Sequence, residues 1–358
     1  MKQDKKVDNH IQLCKIHTIR DFFLKNGLDI NENIIYLLGQ DCFLQFGLEK
    51  YNNQLYWFMI AYNENSQKDI FEITGIEEKN LLDCSIEDVQ KRVDQKEAVC
   101  MYFDFQSRNV VNNSYKAISS QLSGKGIGKN SFGMIIDYNE NEFVLSVIDQ
   151  DEKNVRIPYD AYIRDRLNQY TVVLYLHNED IKDERDVIPL VIEKLKKTCS
   201  IYLEDKTKYE YDPVTTKYGV DGYASLLALI KEIEAMLDKY KNSGEKKYFD
   251  ILKIRLNILS LFLFKGSNYA YRREFGEALL YLEKYDLDMT ESAERFIQIG
   301  KLWRTLSRMI YNMNTPYCSL NTKAYMKKLI QHIYKICEEE HDCVKELYDK
   351  LCSIKNCE

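Results

Sequence analysis

Cys14 is the residue whose type and position best suit nucleophilic chemistry. It opens the segment CKIHTIRDFFLKNG, in which Ile16, Ile19 and Phe23 recur at helical spacing and Gly27 provides a stop. Because free backbone N–H groups and the helix dipole favour a thiolate over a thiol at a helix start, Cys14 is a candidate nucleophile. The alternative is that Cys14 is a small buried hydrophobic residue at the edge of this apolar stripe.

Polar residues around Cys14 offer partners for such a thiol. His10 lies four residues before it and His17 three residues after it, so each is a candidate base. Each histidine is alternatively a solvated or capping residue near a helix start. The dipole alone can also keep the thiol partly ionised, which suits attack on an activated thioester better than on an amide. Gln12 and Asn9 are candidate oxyanion donors beside the Cys14 N–H, or plain capping residues.

The elements that must position these residues alternate between helix and strand in the first half. A second helix is predicted at NENIIYLLGQD, and a third begins at Ser85, with Asp88 completing a capping box. The β-rich run AVCMYFDF predicts a strand over 98–105. Two β-rich runs separated by a polar turn predict a hairpin over 131–148, and a further strand follows at 171–177.

The second half is predicted to be all-α, because helical spacing dominates from about Glu184 onward. The aromatic residues Phe275 and Trp303 lie at helical spacing to other apolar residues, which predicts core positions. The segment near 206–222 is interpreted as a linker, since it carries turn formers and a proline. The later helices are expected at 221–241, 246–264, 269–285, 290–313 and 321–353.

Composition limits the class of protein. The chain has 358 residues, 45% of them hydrophobic, which is enough for two cores. A net charge of -6 with interspersed lysines and glutamates argues against binding to nucleic acid or an anionic membrane. The N-terminal residues lack an apolar core of signal-peptide length, and no stretch has the length of a membrane span. We therefore expect a cytoplasmic protein whose ten cysteines are thiols rather than disulfides.

The order of elements resembles the papain-like plan. In that plan a cysteine at a helix start meets a histidine from the first strand of a later hairpin and an orienting Asp or Asn from the next strand. We therefore predict an α+β fold, in which residues 1–180 form a papain-like cysteine acyltransferase or peptidase module and residues 181–358 form an all-α helical domain.

Longer segments resemble one family within this plan, that of butirosin biosynthesis protein H. Its N-terminal domain is similar to residues 8–170, and the segments that carry the resemblance are LCKIHTIRDFFLKNGLDINENIIYLLGQDCFLQFG, AVCMYFDFQ and SFGMIIDYNENEFVLSVID. The companion helical domain of that family is similar to the segments GSNYAYRREFGEALLYLEKY and KLWRTLSRMIYNM. Within the first of these, Arg272 matches a family arginine and is either a structural ion-pair partner or a contact to the catalytic half.

The resemblance implies roles for individual residues. Cys14 occupies the nucleophile position and Asp149 the position of the acid that orients the base. The base position holds Ser131 where the family has histidine, and a serine hydroxyl cannot accept a proton near neutral pH as imidazole does. Leu13 also replaces a family histidine directly before the cysteine, and the family's Gly-rich turn is reduced to Gly39.

Two further segments have alternative interpretations. The Gly-rich segment SGKGIGK, residues 123–129, precedes a strand. A nucleotide-phosphate loop instead follows a strand and leads into a helix, so this segment does not fit one. A flap over the site, which can touch the phosphate of a pantetheine arm, is the favoured interpretation. The C-terminal spacing of Cys and His fits no familiar zinc pattern, so helical packing is favoured over a metal site for Cys337, His341, Cys343, Cys352 and Cys357.

The function implied by the resemblance is acyl or aminoacyl transfer in natural-product biosynthesis. An acyl carrier protein would deliver the acyl group as a thioester on its phosphopantetheine arm, Cys14 would take it, and a small-molecule amine would accept it. No metal or organic cofactor is expected, and a homo-oligomer is compatible with the sequence. The alternative is a papain-like pseudoenzyme that binds a carrier protein or another partner, because Ser131 has removed the base. A peptidase is disfavoured, since amide hydrolysis needs a proton donor.

Overall fold

The computed structural model describes residues 14–39, 44–51, 54–60, 66–81, 84–103, 131–146, 154–164, 171–204, 218–261, 269–313 and 322–354. The chain divides into two compact units. One comprises Met1–Gly39 and Gln67–Ile188, and the other comprises Gln40–Ser66 and Pro189–Glu358. The second unit is therefore built from two separate parts of the sequence, whereas the predicted domains were continuous.

Helices and strands alternate in the described part of the first half, and helices dominate the second. In chain order the elements are α1 (Cys14–Lys25), α2 (Glu32–Gly39), β1 (Gln45–Tyr51), β2 (Gln54–Ile60), α3 (Ser66–Thr74), β3 (Ile76–Leu81), α4 (Ile86–Asp94), β4 (Ala98–Phe103), β5 (Ser131–Tyr138), β6 (Glu142–Ser146), β7 (Asn154–Pro158), α5 (Tyr159–Arg164), β8 (Thr171–Leu176), α6 (Glu184–Leu203), β9 (Tyr218–Asp221), α7 (Tyr223–Ser243), α8 (Lys246–Leu261), α9 (Arg272–Tyr281), α10 (Thr290–Asn312) and α11 (Thr322–Ser353). Short 3-10 helices at Tyr269–Tyr271 and Leu282–Tyr285 flank α9.

The first unit is organised around an antiparallel sheet of six strands in the order β3-β8-β4-β5-β6-β7. One face of the sheet packs against Val89 of α4 and Tyr162 of α5, in a core that includes Met101 and Ile135. Successive strand residues point to opposite faces, so Tyr102 belongs to the other face. These elements give the unit a mixed α+β structure. Within the described residues, the predicted strand is confirmed over Ala98–Phe103 and the predicted hairpin over 131–146.

Local sequence signals set several helix ends in the first unit. Gly27, two residues after the end of α1, adopts φ 80, a left-handed conformation that glycine accepts without steric cost. Ser85 caps α4, since its hydroxyl accepts from the Asp88 backbone N–H at 3.1 Å while the Asp88 carboxylate accepts from the Ser85 N–H at 3.1 Å. The predicted first helix and the predicted capping box are therefore confirmed.

The second unit contains a small sheet, so the prediction that the second half is all-α was wrong. Strand β9 pairs antiparallel with β1, and the sheet order is β2-β1-β9. Ser225 links this sheet to α7, because its hydroxyl donates to the Leu44 carbonyl at 3.1 Å and accepts from the Phe46 N–H at 3.3 Å. The strand has only four residues, including Gly219. A run this short shows no usable alternation, so the sequence alone predicts a linker there.

The helices of the second unit confirm the later helical predictions within a few residues. Phe275 and Trp303 are fully buried, as their spacing predicted. Helices α9 and α10 approach closely at two glycines. A Cβ on Gly276 would lie 2.5 Å from the Ala293 carbonyl oxygen, and one on Gly300 would lie 3.0 Å from the Arg273 nitrogen. Side chains at these positions would separate the two helices.

A buried ion pair stabilises the interior of the second unit. The Arg272 Nε donates to Glu340 Oε1 at 2.6 Å, and both side chains are 1% exposed. Glu340 also accepts from Trp303 Nε1 at 2.5 Å and from the Tyr202 hydroxyl at 2.7 Å. A buried charge is tolerated when it is paired and hydrogen-bonded in this way. Arg272 is thus a structural ion-pair partner, the first of the two roles considered for it.

The described helices include none that is both long enough and apolar enough to span a membrane.

Candidate active site

Helix α1 presents a line of polar residues to the six-stranded sheet. Thr18, Asp21 and Lys25 are three or four residues apart, so they share one helix face. The Thr18 hydroxyl donates to the Phe132 carbonyl oxygen of β5 at 3.0 Å, and Thr18 is fully buried. The Ser146 hydroxyl, at the end of β6, donates to the Asp21 carboxylate. These contacts fix the helix across β5 and β6.

The register of the sheet gives the direction of α1 relative to β5. Phe103, the last residue of β4, is paired with Ser131, the first residue of β5. Thr18 contacts β5 near this end, because its hydroxyl donates to the carbonyl oxygen of Phe132, the residue after Ser131. Lys25 contacts the opposite end, because its Nζ donates at 2.6 Å to the carbonyl oxygen of Glu97, which precedes β4. Helix α1 therefore runs in the same direction as β5, and its first turn lies at the end of the sheet where β5 begins.

The nucleophile candidate begins this helix. Cys14 is the first residue of α1 and lies one turn before Thr18 on the same line along the helix. Its backbone is consequently at the end of the sheet where β4 ends, β5 starts with Ser131 and β6 ends at Ser146. Asp149 follows Ser146 by three residues in the sequence. The start of α1 and the start of β5 therefore lie at the same end of the sheet.

The remaining predicted site residues lie partly outside the described residues. This holds for His10 and Asp149 entirely, and for the side chains of Cys14 and Ser131. The oxyanion candidates Asn9 and Gln12 and the Gly-rich segment 123–129 also lie outside them. Their predicted roles stay predictions.

His17 is part of an ionic cluster between α1 and α2. Its Nδ1 lies 3.0 Å from Glu32 Oε1 and its Nε2 lies 3.5 Å from Asp21 Oδ2, and its side chain is 15% exposed. Arg20 approaches the same Glu32 oxygen at 3.4 Å. Both ring nitrogens are therefore already engaged by carboxylates of the protein. This arrangement favours a structural role for His17 over that of a base for Cys14.

A second polar cluster lies on the sheet face that carries α1. The Tyr102 hydroxyl donates to Glu78 Oε2 at 2.9 Å, and the Gln67 side-chain amide donates to the same oxygen at 3.2 Å and to the Tyr102 hydroxyl. The Tyr102 ring packs against Phe132 with 4.7 Å between centroids. Burial, followed by the Glu78 charge, raises the pKa of Tyr102. Tyr102 is therefore a neutral hydrogen-bond donor throughout the physiological range.

The described cysteines include buried thiols with raised pKa values and one exposed thiol, and both kinds serve as references for Cys14. Cys100 lies on the face that carries α1 and is fully buried, and desolvation strongly raises the pKa of its thiol. Burial likewise raises the pKa of Cys337 and of Cys343 to about 12. Cys352 is exposed. The buried thiols are inert by this criterion, and Cys352 provides a solvent-exposed reference.

Within the described ranges, no group of three or more His, Cys, Asp and Glu side chains is arranged to hold a metal ion.

Sequence reasoning missed the two polar clusters. Glu32 is 15 residues from His17 in the sequence, and Ser146 is 125 residues from its partner Asp21, so these contacts arise only from the packing of α1 on α2 and on the sheet. The available signal was Tyr102, a polar group inside the apolar run AVCMYF, because a buried hydroxyl needs a partner. Nothing in the sequence indicated that Gln67 and Glu78 would provide it.

No family model matches the chain, and no curated protein matches it significantly. The resemblance to the butirosin biosynthesis protein H family therefore stays a prediction that rests on the segments quoted above.

Proposed function

We propose that the first unit is a papain-like acyltransferase of the butirosin biosynthesis protein H type, with Cys14 as nucleophile. The observation that supports this most directly is the buried hydrogen bond from Thr18 to the Phe132 carbonyl at 3.0 Å. It holds the first turn of α1 beside the start of β5, and a papain-like enzyme requires its cysteine helix and its base-bearing strand to meet in this way.

The reaction proposed is acyl transfer from a thioester on the pantetheine arm of an acyl carrier protein. The Cys14 thiolate attacks the thioester carbonyl carbon, and the carbon–sulfur bond to the arm breaks with its electron pair leaving on the arm sulfur. An unprotonated amine of a small molecule then attacks the carbonyl carbon of the acyl-cysteine. The carbon–sulfur bond to Cys14 breaks with its electron pair returning to the Cys14 sulfur, and the proton released from the amine nitrogen passes to that thiolate or to water. Asp149 orients or replaces part of the base, and no metal takes part in either step.

Activation of the thiol is proposed to come from the start of α1 rather than from an imidazole base. The base position holds Ser131, and both nitrogens of His17 face carboxylates. A helix N-terminus stabilises a thiolate through its free N–H groups and dipole. Such a thiolate is sufficient for a thioester, whose leaving group is itself a thiolate, but not for an amide.

Differential alkylation tests whether Cys14 is activated. The full chain is treated with iodoacetamide at pH 7, and labelling of each cysteine is followed by peptide mass spectrometry. Cys352 serves as the exposed reference and Cys100 as the buried one. We expect Cys14 to react about tenfold faster than Cys352, because a thiolate is the reacting species. A rate equal to that of Cys352 would contradict the proposal.

A transfer assay tests the reaction itself. Incubation with an acyl-pantetheine thioester should add the mass of the acyl group to the Cys14 peptide, and Cys14→Ser should abolish the addition. Retention of the adduct in Cys14→Ser would show that another nucleophile is acylated.

A second candidate function is favoured by the position of His17. If Cys14 has no base and the start of α1 does not activate its thiol, the module is a pseudoenzyme that binds a carrier protein or another partner. Slow alkylation of Cys14 together with saturable binding of a phosphopantetheinylated carrier protein, measured by calorimetry, would support this function over the transferase.

A further inference from the structure

The charges of helices α10 and α11 are segregated along the sequence. Lysine and glutamate are interspersed over most of the chain, but residues 295–337 contain eight lysines and arginines and no aspartate or glutamate. Acidic residues resume on both sides of this stretch, at Glu294 and at Glu338. The acid-free stretch therefore includes the C-terminal part of α10 and the N-terminal part of α11.

The two helices run antiparallel. The Tyr325 hydroxyl donates to the Met309 carbonyl oxygen at 2.7 Å, and the His332 Nε2 donates to the Leu302 carbonyl oxygen at 2.8 Å. The two donors are seven residues apart, and so are the two acceptors, but in the opposite order. Because antiparallel pairing places the end of α10 beside the start of α11, the basic residues of both helices lie at one end of the pair.

The same contacts show which side of the pair is open to solvent. One heptad further along, the Arg295 Nη2 pairs with the Glu339 Oε2 at 3.6 Å, in the same register. All the residues that form these contacts are part-buried, and on each helix they border its exposed stripe. The two exposed stripes therefore lie side by side, and we call this surface the α10–α11 face.

The α10–α11 face has a basic half and an acidic half. The exposed basic side chains of the basic half are Lys301, Arg304, Arg308, Lys327, Lys328 and Lys335. The exposed acidic side chains of the acidic half are Glu291, Glu294, Glu338, Asp342, Glu346 and Asp349. Among the described residues of the acidic half, Lys345 is the only exposed basic one. The face therefore has a positive potential at one end and a negative potential at the other.

We propose that the α10–α11 face binds the same face of a second copy of this chain about a two-fold axis. In a two-fold dimer both copies use one surface, so that surface must be complementary to itself. With the axis at the boundary between the two halves, the basic half of each copy lies opposite the acidic half of the other. The inference concerns the second unit alone and does not depend on the proposed acyl transfer.

Other anionic partners fit the α10–α11 face less well. The basic half gives way to carboxylates after about 15 Å of helix, so an extended nucleic acid would meet acidic side chains, and the net charge of the chain is -6. A lipid surface requires apolar side chains that can insert. The exposed residues that the structure describes on α10 and α11 include no Leu, Ile, Phe or Trp.

The size of the face sets the strength of the expected dimer. Helix rise and diameter give a face of roughly 30 Å by 20 Å, or about 600 Å² per protomer. This area is at the lower end for specific interfaces. Its charges are exposed, so each ion pair contributes little and is screened by salt. We therefore expect a reversible dimer with a micromolar dissociation constant that weakens as the ionic strength rises.

Sedimentation velocity of the full chain tests the association. At about 100 µM protein and about 50 mM salt we expect a monomer–dimer equilibrium, and at about 0.5 M salt a dissociation constant at least tenfold higher, because salt screens exposed charges. A chain that stays monomeric at low salt, or whose association does not weaken with salt, would overturn the proposal.

Reversing the charges of the basic half tests which surface is used. The basic-half variant carries Lys301→Glu, Arg308→Glu, Lys327→Glu and Lys328→Glu at exposed helix positions. It should be monomeric, because both halves of its face are then negative. Dimerisation of this variant with the wild-type dissociation constant would exclude the α10–α11 face.

The acidic-half variant is the complement of the first. It carries Glu294→Lys, Glu338→Lys, Asp342→Lys and Asp349→Lys, and it should also be monomeric, because both halves of its face are then positive. An equimolar mixture of the two variants should form a heterodimer, since each half then meets its opposite charge. Misfolding cannot produce this rescue. A mixture that stays monomeric would contradict the two-fold arrangement.

A matched control separates the face from the net charge. Lys231→Glu, Lys239→Glu, Lys241→Glu and Lys246→Glu make the same change in net charge at exposed positions of α7 and α8. This variant should dimerise within about threefold of wild type, because exposed charges outside the interface act weakly. Loss of its dimer would assign the effect of the first variant to overall repulsion and overturn the proposal.

A neutral variant covers the case in which a charge reversal prevents folding, which thermal melts reveal. Lys301→Gln with Lys328→Gln should weaken the dimer several-fold, and an unchanged dissociation constant would overturn the assignment. Binding of a single-stranded DNA of about 20 nucleotides by a monomeric wild-type chain would instead assign the basic half to nucleic acid.

Discussion

Arg272 and Glu340 form an ion pair in the interior of the second unit, with Nε 2.6 Å from Oε1 and both side chains 1% exposed. The pair joins α9 to α11, and Trp303 and Tyr202 complete the hydrogen bonding of the carboxylate. Such a pair is costly to break from one side only, because the remaining charge is left buried without a partner.

Glu340→Ala should therefore strongly destabilise the protein. It leaves the Arg272 guanidinium and the Trp303 N–H without their acceptor, and we expect a loss of about 3–5 kcal/mol of unfolding free energy. Urea unfolding followed by circular dichroism measures it. Glu338→Ala, an exposed position on the same helix, should change stability by less than about 0.5 kcal/mol. If Glu340→Ala lowered the unfolding free energy as little as Glu338→Ala does, the interior would have to relax around the unpaired Arg272 guanidinium.

Gly276→Ala tests the close approach of α9 and α10. Alanine favours a helix interior by about 1 kcal/mol, but its Cβ would lie 2.5 Å from the Ala293 carbonyl. We expect the clash to dominate, with a net loss of about 1–3 kcal/mol. Gly244→Ala is the comparison, because its added Cβ meets nothing within 4 Å and only its φ of +68 is strained. Stabilisation by Gly276→Ala in thermal unfolding would show that the helices can separate without cost.

His17→Gln tests whether His17 acts as a base. Since both ring nitrogens face carboxylates, the alkylation rate of Cys14 should stay within about twofold of wild type. Stability should fall by about 1–3 kcal/mol, because Glu32 and Asp21 lose a shared partner in a partly buried site. A tenfold lower alkylation rate with an unchanged rate at Cys352 would instead assign His17 as the base.

The buried thiols predict a loss of stability at alkaline pH. Burial raises the pKa of Cys337 and Cys343 to about 12, compared with an ordinary value of 9.0. Below pH 9 the two thiols are protonated in both the folded and the unfolded protein, so their ionisation does not lower the free energy of unfolding. As the pH rises from 9 towards 12, only the unfolded state ionises, and stability is lost.

Cys343→Ala provides the measurement. Between pH 8 and 10.5 its urea midpoint should fall less than that of wild type. Cys352→Ala, which removes an exposed thiol, should follow wild type across the same range. Parallel curves for all three proteins would mean that Cys343 ionises equally in both states.

How far the sequence predicts this structure depends on how local each signal is. The Ser85 capping box and the turn at Gly27 were readable because their partners lie within a few residues. Strand β9 was not, since its partner β1 is far away in the sequence and its own four residues show no alternation. The features of the candidate site also divide into those set by local sequence and those set by tertiary packing. Cys14 at a helix start is a local feature, whereas the contacts of Glu78 with Gln67 and Tyr102 arise from tertiary packing.

The pairing of β1 with β9 also affects how the chain folds during synthesis. The hairpin of β1 and β2 leaves the ribosome long before residues 218–221. One edge of β1 therefore stays unpaired until β9 has been synthesised. Strand edges that remain unpaired during synthesis slow folding and favour association between nascent chains. A fragment that stops at residue 180 would keep that edge exposed permanently, and we expect it to aggregate where the full chain does not.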